Sequence, residues 1–149
     1  MAIPDLTPDG ILPTGIHDCT LEEVGERFGR FCSSDRRVRL FKSLCEYVGE
    51  LQQTGLASTV LVDGSFVTAK EAPEDVDMVV VLREGHDFSQ QLRPFEYNAL
   101  SARMIRRTYG LDAFPVPHGS GAGAHLVDLF QQVRGCPGVT KGILKVEMQ

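Results

Sequence analysis

The feature that most constrains this chain is the run Met78-Val79-Val80-Val81-Leu82, five consecutive apolar residues entered directly from Asp75-Val76-Asp77. An apolar run that does not alternate with polar residues reads as a central strand covered on both faces. Such a strand needs paired neighbours and helices to bury it. Thr59-Val60-Leu61-Val62, stopped by Asp63-Gly64-Ser65, is a second buried strand, and Leu111 to Val116 a third. Gly142 to Val146 supplies a last short one.

Helical spacing fills the intervals. Thr20 and Glu23 form a capping box, in which hydroxyl and carboxylate each accept a free backbone N–H. Leu21, Val24, Phe28 and Phe31 follow at helical spacing, predicting a helix over 21–31. Ser34 is the expected cap of a longer helix, with Val38, Phe41, Leu44, Cys45, Val48 and Leu51 inward and Gly55 as the stop. Arg36, Arg39, Lys42, Glu46 and Glu50 take its wet side. Pro94 suits a first helical position and opens a helix predicted to run to Tyr109, with Gly110 as its stop. Leu126, Leu129, Phe130 and Val133 mark a fourth helix. Pro4, Pro8, Gly10, Pro13 and Gly15 make residues 1–18 an extended arm before a single domain over 19–149. The order αα-β-β-α-β-α-β predicts an α/β (α+β) fold, a mixed sheet with helices packed on it.

The bulk properties exclude some function classes. A chain of 149 residues with 42% hydrophobic residues can bury a real core without disulfide or metal staples. A formal net charge of −5 opposes tight, sequence-blind nucleic-acid binding, which needs a basic face. Cys19, Cys32, Cys45 and Cys136 include no C-x-x-C pair, so a zinc ribbon is not expected. Met1 to Leu12 has neither the basic start nor the apolar centre of a signal peptide, and no apolar run approaches a membrane span. A reducing, cytoplasmic location is the expectation.

The chemistry concentrates around the central strand. Asp75 and Asp77 alternate with Val76, so both carboxylates point to one face while the valine anchors them in the core. Two carboxylates there suit magnesium, which takes oxygen ligands and keeps positions for water and phosphate oxygens. Gly64-Ser65, ten positions upstream of Asp75, lies where a strand turns. Glycine admits a phosphate close to the backbone, and the Ser65 hydroxyl and following N–H groups can hold its oxygens. Asp112, at the start of the third strand, is the candidate third carboxylate of a two-metal site with ions about 3.5–4 Å apart. Lys70 can reach a phosphate or stand as a solvated loop lysine, and Lys141 and Lys145 can neutralise a triphosphate or protect a sheet edge.

The pattern Val62-Asp63-Gly64-Ser65, then Asp75-Val76-Asp77-Met78, then Leu111-Asp112-Ala113-Phe114, resembles the nucleotidyltransferase superfamily with the DNA polymerase beta-like fold. The likeness covers about residues 56 to 116. Leu12-Pro13-Thr14-Gly15-Ile16-His17 and Gly64-Ser65-Phe66-Val67-Thr68 extend it to a small prokaryotic nucleotidyltransferase-like family. The resemblance implies a minimal nucleotidyltransferase-like fold that moves a nucleoside monophosphate from an NTP to a protein hydroxyl, a nucleic-acid end or a small molecule. It implies two magnesium ions, or manganese, on Asp75, Asp77 and Asp112, with Gly64, Ser65 and Lys70 on the nucleotide. Asp63 stands where the family has an apolar residue, and Phe66 where minimal members carry Arg.

The bland readings remain beside these. Acids before a strand are often solvated turn residues, and a glycine alone can serve a tight turn. Asp128 reads as a surface acid rather than a fourth ligand, and Arg103, Arg106 and Arg107 as a wet helix face or, alternatively, a contact for the acceptor. His118 to Gly123 is a connection or a lid. A degenerate nucleotidyltransferase acting by protein contact, as an antitoxin or regulatory partner, is the alternative function. A purely structural domain is the third reading, and it requires the three aspartates to lie apart.

Overall fold

The computed structural model describes residues 3–30, 32, 34–86, 91–133 and 135–148. Among these, the elements run β1 (Gly15–Cys19), α1 (Leu21–Phe28), α2 (Arg36–Thr54), β2 (Ala57–Asp63), β3 (Asp77–Leu82), α3 (Pro94–Leu100), α4 (Ala102–Tyr109), β4 (Asp112–Val116), α5 (Gly121–Phe130) and β5 (Gly142–Glu147). The result is an α+β fold with one mixed sheet of strand order β1-β5-β2-β3-β4. The outer pairs β1–β5 and β3–β4 are parallel, and β2 is antiparallel to both β3 and β5. No described helix is long and apolar enough to cross a membrane.

The apolar run works as its sequence demands. Met78, Val80 and Leu82 face one side of the sheet, joined by Val60, Val62, Ala113, Leu144 and Val146. Helices α1 to α4 cover that side with Val24, Phe28, Leu44, Tyr47, Leu51, Leu100 and Ile105. Val79 faces the other side with Leu61, Val116 and Ile143, under Leu126, Val127 and Phe130 of α5. Each fully buried side chain of this kind contributes roughly 1.5–3 kcal/mol of transfer free energy, so the two-faced burial fixes the strand's position and register.

Several local expectations hold. Thr20 N–H donates to Glu23 Oε1 at 2.9 Å and Glu23 N–H to Thr20 Oγ1 at 3.1 Å, completing the capping box of α1. Gly55 and Gly110 end α2 and α4. Others change. The arm is not free: its last residues form β1, and Ile3 and Leu12 are buried in the core. The predicted helix over 94–109 breaks at Ser101, which ends α3 and caps α4 by accepting from Met104 N–H. A serine hydroxyl competes for backbone donors in this way, and periodicity alone does not register it. The N-cap of α2 is Asp35 rather than Ser34, although Ser34 Oγ still accepts from Arg36 N–H. Phe31 of the predicted first helix lies outside the described residues.

The stripe of α2 buries Leu44, Val48 and Leu51 as predicted and departs at its start. Val38 is 42% exposed, whereas Arg37 is 7% exposed and enters the core. Its guanidinium donates to the carbonyls of Phe28, Phe66, Thr68 and Lys70 and sits between the rings of Phe28 and Phe66. Buried backbone acceptors in the 66–70 loop need donors, and Arg37 supplies them. Leu129 of α5 also departs, standing 49% exposed, and α5 ends before Val133.

Candidate functional site

The sheet sets three aspartates in one row. β2 extends past its apolar residues to Asp63, which pairs in register with Asp77 at the start of β3. Asp77 in turn pairs with Asp112 at the start of β4, and Asp112 N–H donates to Val76 O at 3.1 Å. Alternation gives all three side chains the face that α5 covers further along, through Leu61, Val79 and Val116. Directly opposed residues on neighbouring strands stand about 5 Å apart, close enough for their charges to interact strongly. Asp77 and Asp112 are thus register neighbours on β3 and β4, with Asp63 opposite Asp77 on β2.

Asp75 joins the row from the loop before β3. Its Oδ1 accepts from Ser65 N–H at 2.9 Å and from Ser65 Oγ–H at 2.8 Å. Gly64 makes this contact possible. At φ +93° it takes a backbone conformation that side chains avoid, and a Cβ there would fall 2.9 Å from Asp75 O and 3.0 Å from Asp77 N. The glycine thus admits the Asp75–Asp77 segment itself. The donors of the turn are committed inside the protein: besides Ser65, Phe66 N–H donates to Asp75 O, Val67 N–H to Gly64 O and Thr68 N–H to Ser65 O. Gly64 and Ser65 act here as the brace that holds Asp75 in place.

Charges arrange themselves around the row in a consistent way. Lys141 Nζ lies 3.0 Å from Asp63 Oδ1, and Arg106 donates to Asp112 Oδ1 at 2.6 Å. Arg106 belongs to the helix face predicted to be wet. Burial pushes the Asp63 carboxyl up, with Lys141 opposing and Asp75 adding to the push. Burial also acts to raise Asp75, but the Ser65 hydrogen bonds and the charges of Lys141 and Lys70 hold it below its ordinary value. Asp77 has no such relief. Burial and then the charges of Asp75, Asp63 and Asp112 raise it from 3.8 to about 6, with Lys141 pulling weakly the other way. Among the described residues nothing donates a hydrogen bond to its carboxylate, and no three His, Cys, Asp or Glu side chains converge as a ready-made metal cage.

These groups open into a cleft of about 880 Å³. Its lining carries Asp63, Asp75, Asp77, Ser65, Lys70 and Lys141. The lining also includes Leu129, Phe130, Gln132, Val133 and Pro137, from the end of α5 and the segment after it. Asp112 sits beside the cleft, turned toward Arg106. Asp128 is exposed, as expected of a surface acid.

A family model matches residues 4–147. The chain belongs to DUF6932, a family of unknown function. The match takes in all five strands and every site residue named above, so the acid row lies within the body of this DUF6932 chain. No curated protein and no solved structure matches it significantly.

Two members of the site were not read as such from the sequence. Asp63 departs from the motif as the residue before Gly64, yet it sits two positions beyond Leu61, on that residue's face, at the end of β2. Its period-two relation to the core was the available signal. The sequence around Lys141 fits two roles, and only the pairing of β5 with β2 brings it to Asp63.

Proposed function

We propose that this protein is a magnesium-dependent nucleotidyltransferase of the superfamily its motifs resemble, acting in the cytoplasm on an NTP and an acceptor hydroxyl. The observation that carries the reading is the cluster of Asp63, Asp75 and Asp77 lining a cleft that also carries apolar side chains, with Asp112 next to Asp77 in the sheet register. A nucleotide matches such a cleft: its base prefers apolar contact and its phosphates prefer metal and lysine. The donor set is all carboxylate oxygen, which suits magnesium or manganese. The crowding that raises Asp77 is the electrostatic condition a divalent cation relieves.

In this reading Asp75 and Asp77 hold the metal, with manganese as a substitute, and Ser65 and Gly64 keep Asp75 in position. A metal held by these carboxylates would supply positive charge against the charge that develops in phosphoryl transfer. Lys70 and Lys141 meet the remaining phosphate charge. Asp112, once released from Arg106, accepts the proton of the attacking hydroxyl. Leu129, Phe130 and Val133 receive the base. Turnover of labelled NTPs with magnesium or manganese and lysate from the source cell tests the reading. Asp77→Ala is expected to abolish metal-dependent turnover with the fold intact, and unchanged turnover in that variant would end the assignment.

A second reading keeps the fold without catalysis, as an antitoxin or regulatory partner. Its specific support is that Ser65 and its neighbours spend their donors within the turn. Calorimetry with magnesium and each NTP separates the two, because an inert module shows no metal-dependent nucleotide binding.

A further inference from the structure

Lys141 is held where a metal ion's charge is needed. Its backbone N–H donates to Gln131 O at 2.7 Å, which fixes it between the end of α5 and the start of β5. Its side chain is only 18% exposed, and its partner Asp63 is more deeply buried still. Nζ and Oδ1 are 3.0 Å apart as an ion pair, but the contact lacks hydrogen-bond geometry, and Oδ1 has no other donor. The charge of Lys141 reaches Asp75 and Asp77 as well. One ammonium thus serves three carboxylates and satisfies none of them geometrically. A buried pair of this quality recovers little of its desolvation cost.

We propose that Lys141 is the internal counter-cation of the carboxylate cluster, displaced from Asp63 when a divalent metal binds, and that the displaced ammonium then meets the incoming polyphosphate. The inference rests on the metal-dependent reading above. A divalent ion on Asp75 and Asp77 carries twice the charge without a flexible stem, so it replaces the ammonium as the cluster's counter-charge and repels it from neighbouring Asp63. Lys141 and Lys70 line the same cleft, so the freed side chain stays within it. Lys141 is a positioning residue for ligand charge, and its two roles have opposite signatures.

The test uses the full chain at fixed pH, with manganese and inorganic tripolyphosphate as probes. Wild-type binding of manganese is measured first by calorimetry. Lys141→Gln, checked for folding by thermal unfolding, is expected to bind manganese alone about tenfold more tightly, since one competing charge has left a partly desolvated cleft. The same variant is expected to lose most of the gain in tripolyphosphate affinity that manganese confers on the wild type. A folded variant whose manganese affinity is unchanged or weaker overturns the proposal. If the variant does not fold, wild-type lysine labelling read by peptide mass spectrometry decides: manganese is expected to raise acylation of Lys141, and tripolyphosphate to lower it again. Unchanged labelling with manganese bound overturns the displacement alone. Absence of any manganese binding to the wild type removes both this inference and the functional reading.

Discussion

Replacing Asp77 by Asn is expected to make the metal-free protein more stable. The wild-type carboxyl rises from 3.8 to about 6 because burial and three neighbouring carboxylates oppose its ionisation. At 1.36 kcal/mol per pH unit this bounds the effect at about 3 kcal/mol, and solvent screening of a half-buried group reduces the expectation to roughly 1 kcal/mol. The sign follows from proton linkage. Between pH 3.8 and 6 the folded state holds a proton on Asp77 that the unfolded chain has released, so this group's contribution falls as pH rises through that window. Asn carries no charge, matches the shape, and can donate its amide protons to the flanking carboxylates.

The assay is urea unfolding of both proteins in chelator across pH 4 to 8. Near pH 4 the curves should nearly coincide, because wild-type Asp77 is then protonated. Above pH 6 the variant should lead by roughly 1 kcal/mol, worth about 2–4 °C in thermal midpoint for a chain of this size. Added manganese should reverse the order, since only the wild type gains binding free energy. A variant no more stable than wild type at pH 7 in chelator, or a difference that does not shrink toward pH 4, refutes the claim that Asp77 is the strained member of the row.

Two further substitutions probe the scaffold. Gly64→Ala puts a Cβ 2.9–3.1 Å from the Asp75 and Asp77 backbone and the Asp75 carboxylate, at a φ of +93°; a loss of about 2–3 kcal/mol in urea unfolding is expected, together with loss of manganese binding. Arg37→Leu strands four carbonyls of the chain leading into and around the site; about 3 kcal/mol should be lost, with hydrogen exchange accelerated first in residues 66–70.

How much of this was legible in the sequence depends on the range of the interaction. The Met78–Leu82 strand, the Thr20–Glu23 box and the Gly55 stop are local, and each appears where its chemistry indicates. The sequence Asp75-Val76-Asp77 is local too: Val76 is buried and both carboxylates line the cleft, although β3 starts only at Asp77. The pairing of Asp77 with Asp112 was an expectation about neighbouring strands and needed the parallel β3–β4 register to become a contact. What stayed hidden was set by long-range satisfaction of polar groups. Arg37 looks like a helix-surface residue until four carbonyls from distant segments require it. Asp63 looks like a turn residue until β2 continues one step beyond its apolar core. Ser65 looks like a phosphate donor until Asp75 accepts both its hydrogen bonds.

The arrangement of the row itself argues that it was not built for stability. Like charges directly opposed on neighbouring strands destabilise a sheet. A structural sheet end would carry alternating signs or neutral residues there. This one carries three aspartates side by side, with a fourth braced beside them by a glycine that no larger residue replaces without strain. The flanks are neutralised by Lys141 and Arg106, while the centre, Asp77, is left to its neighbours. A free-energy cost concentrated on one carboxylate at the floor of a cleft is what a site keeps when something outside the chain relieves it. Removal of that carboxylate should therefore separate the two properties, raising stability in chelator and abolishing manganese binding in the same molecule.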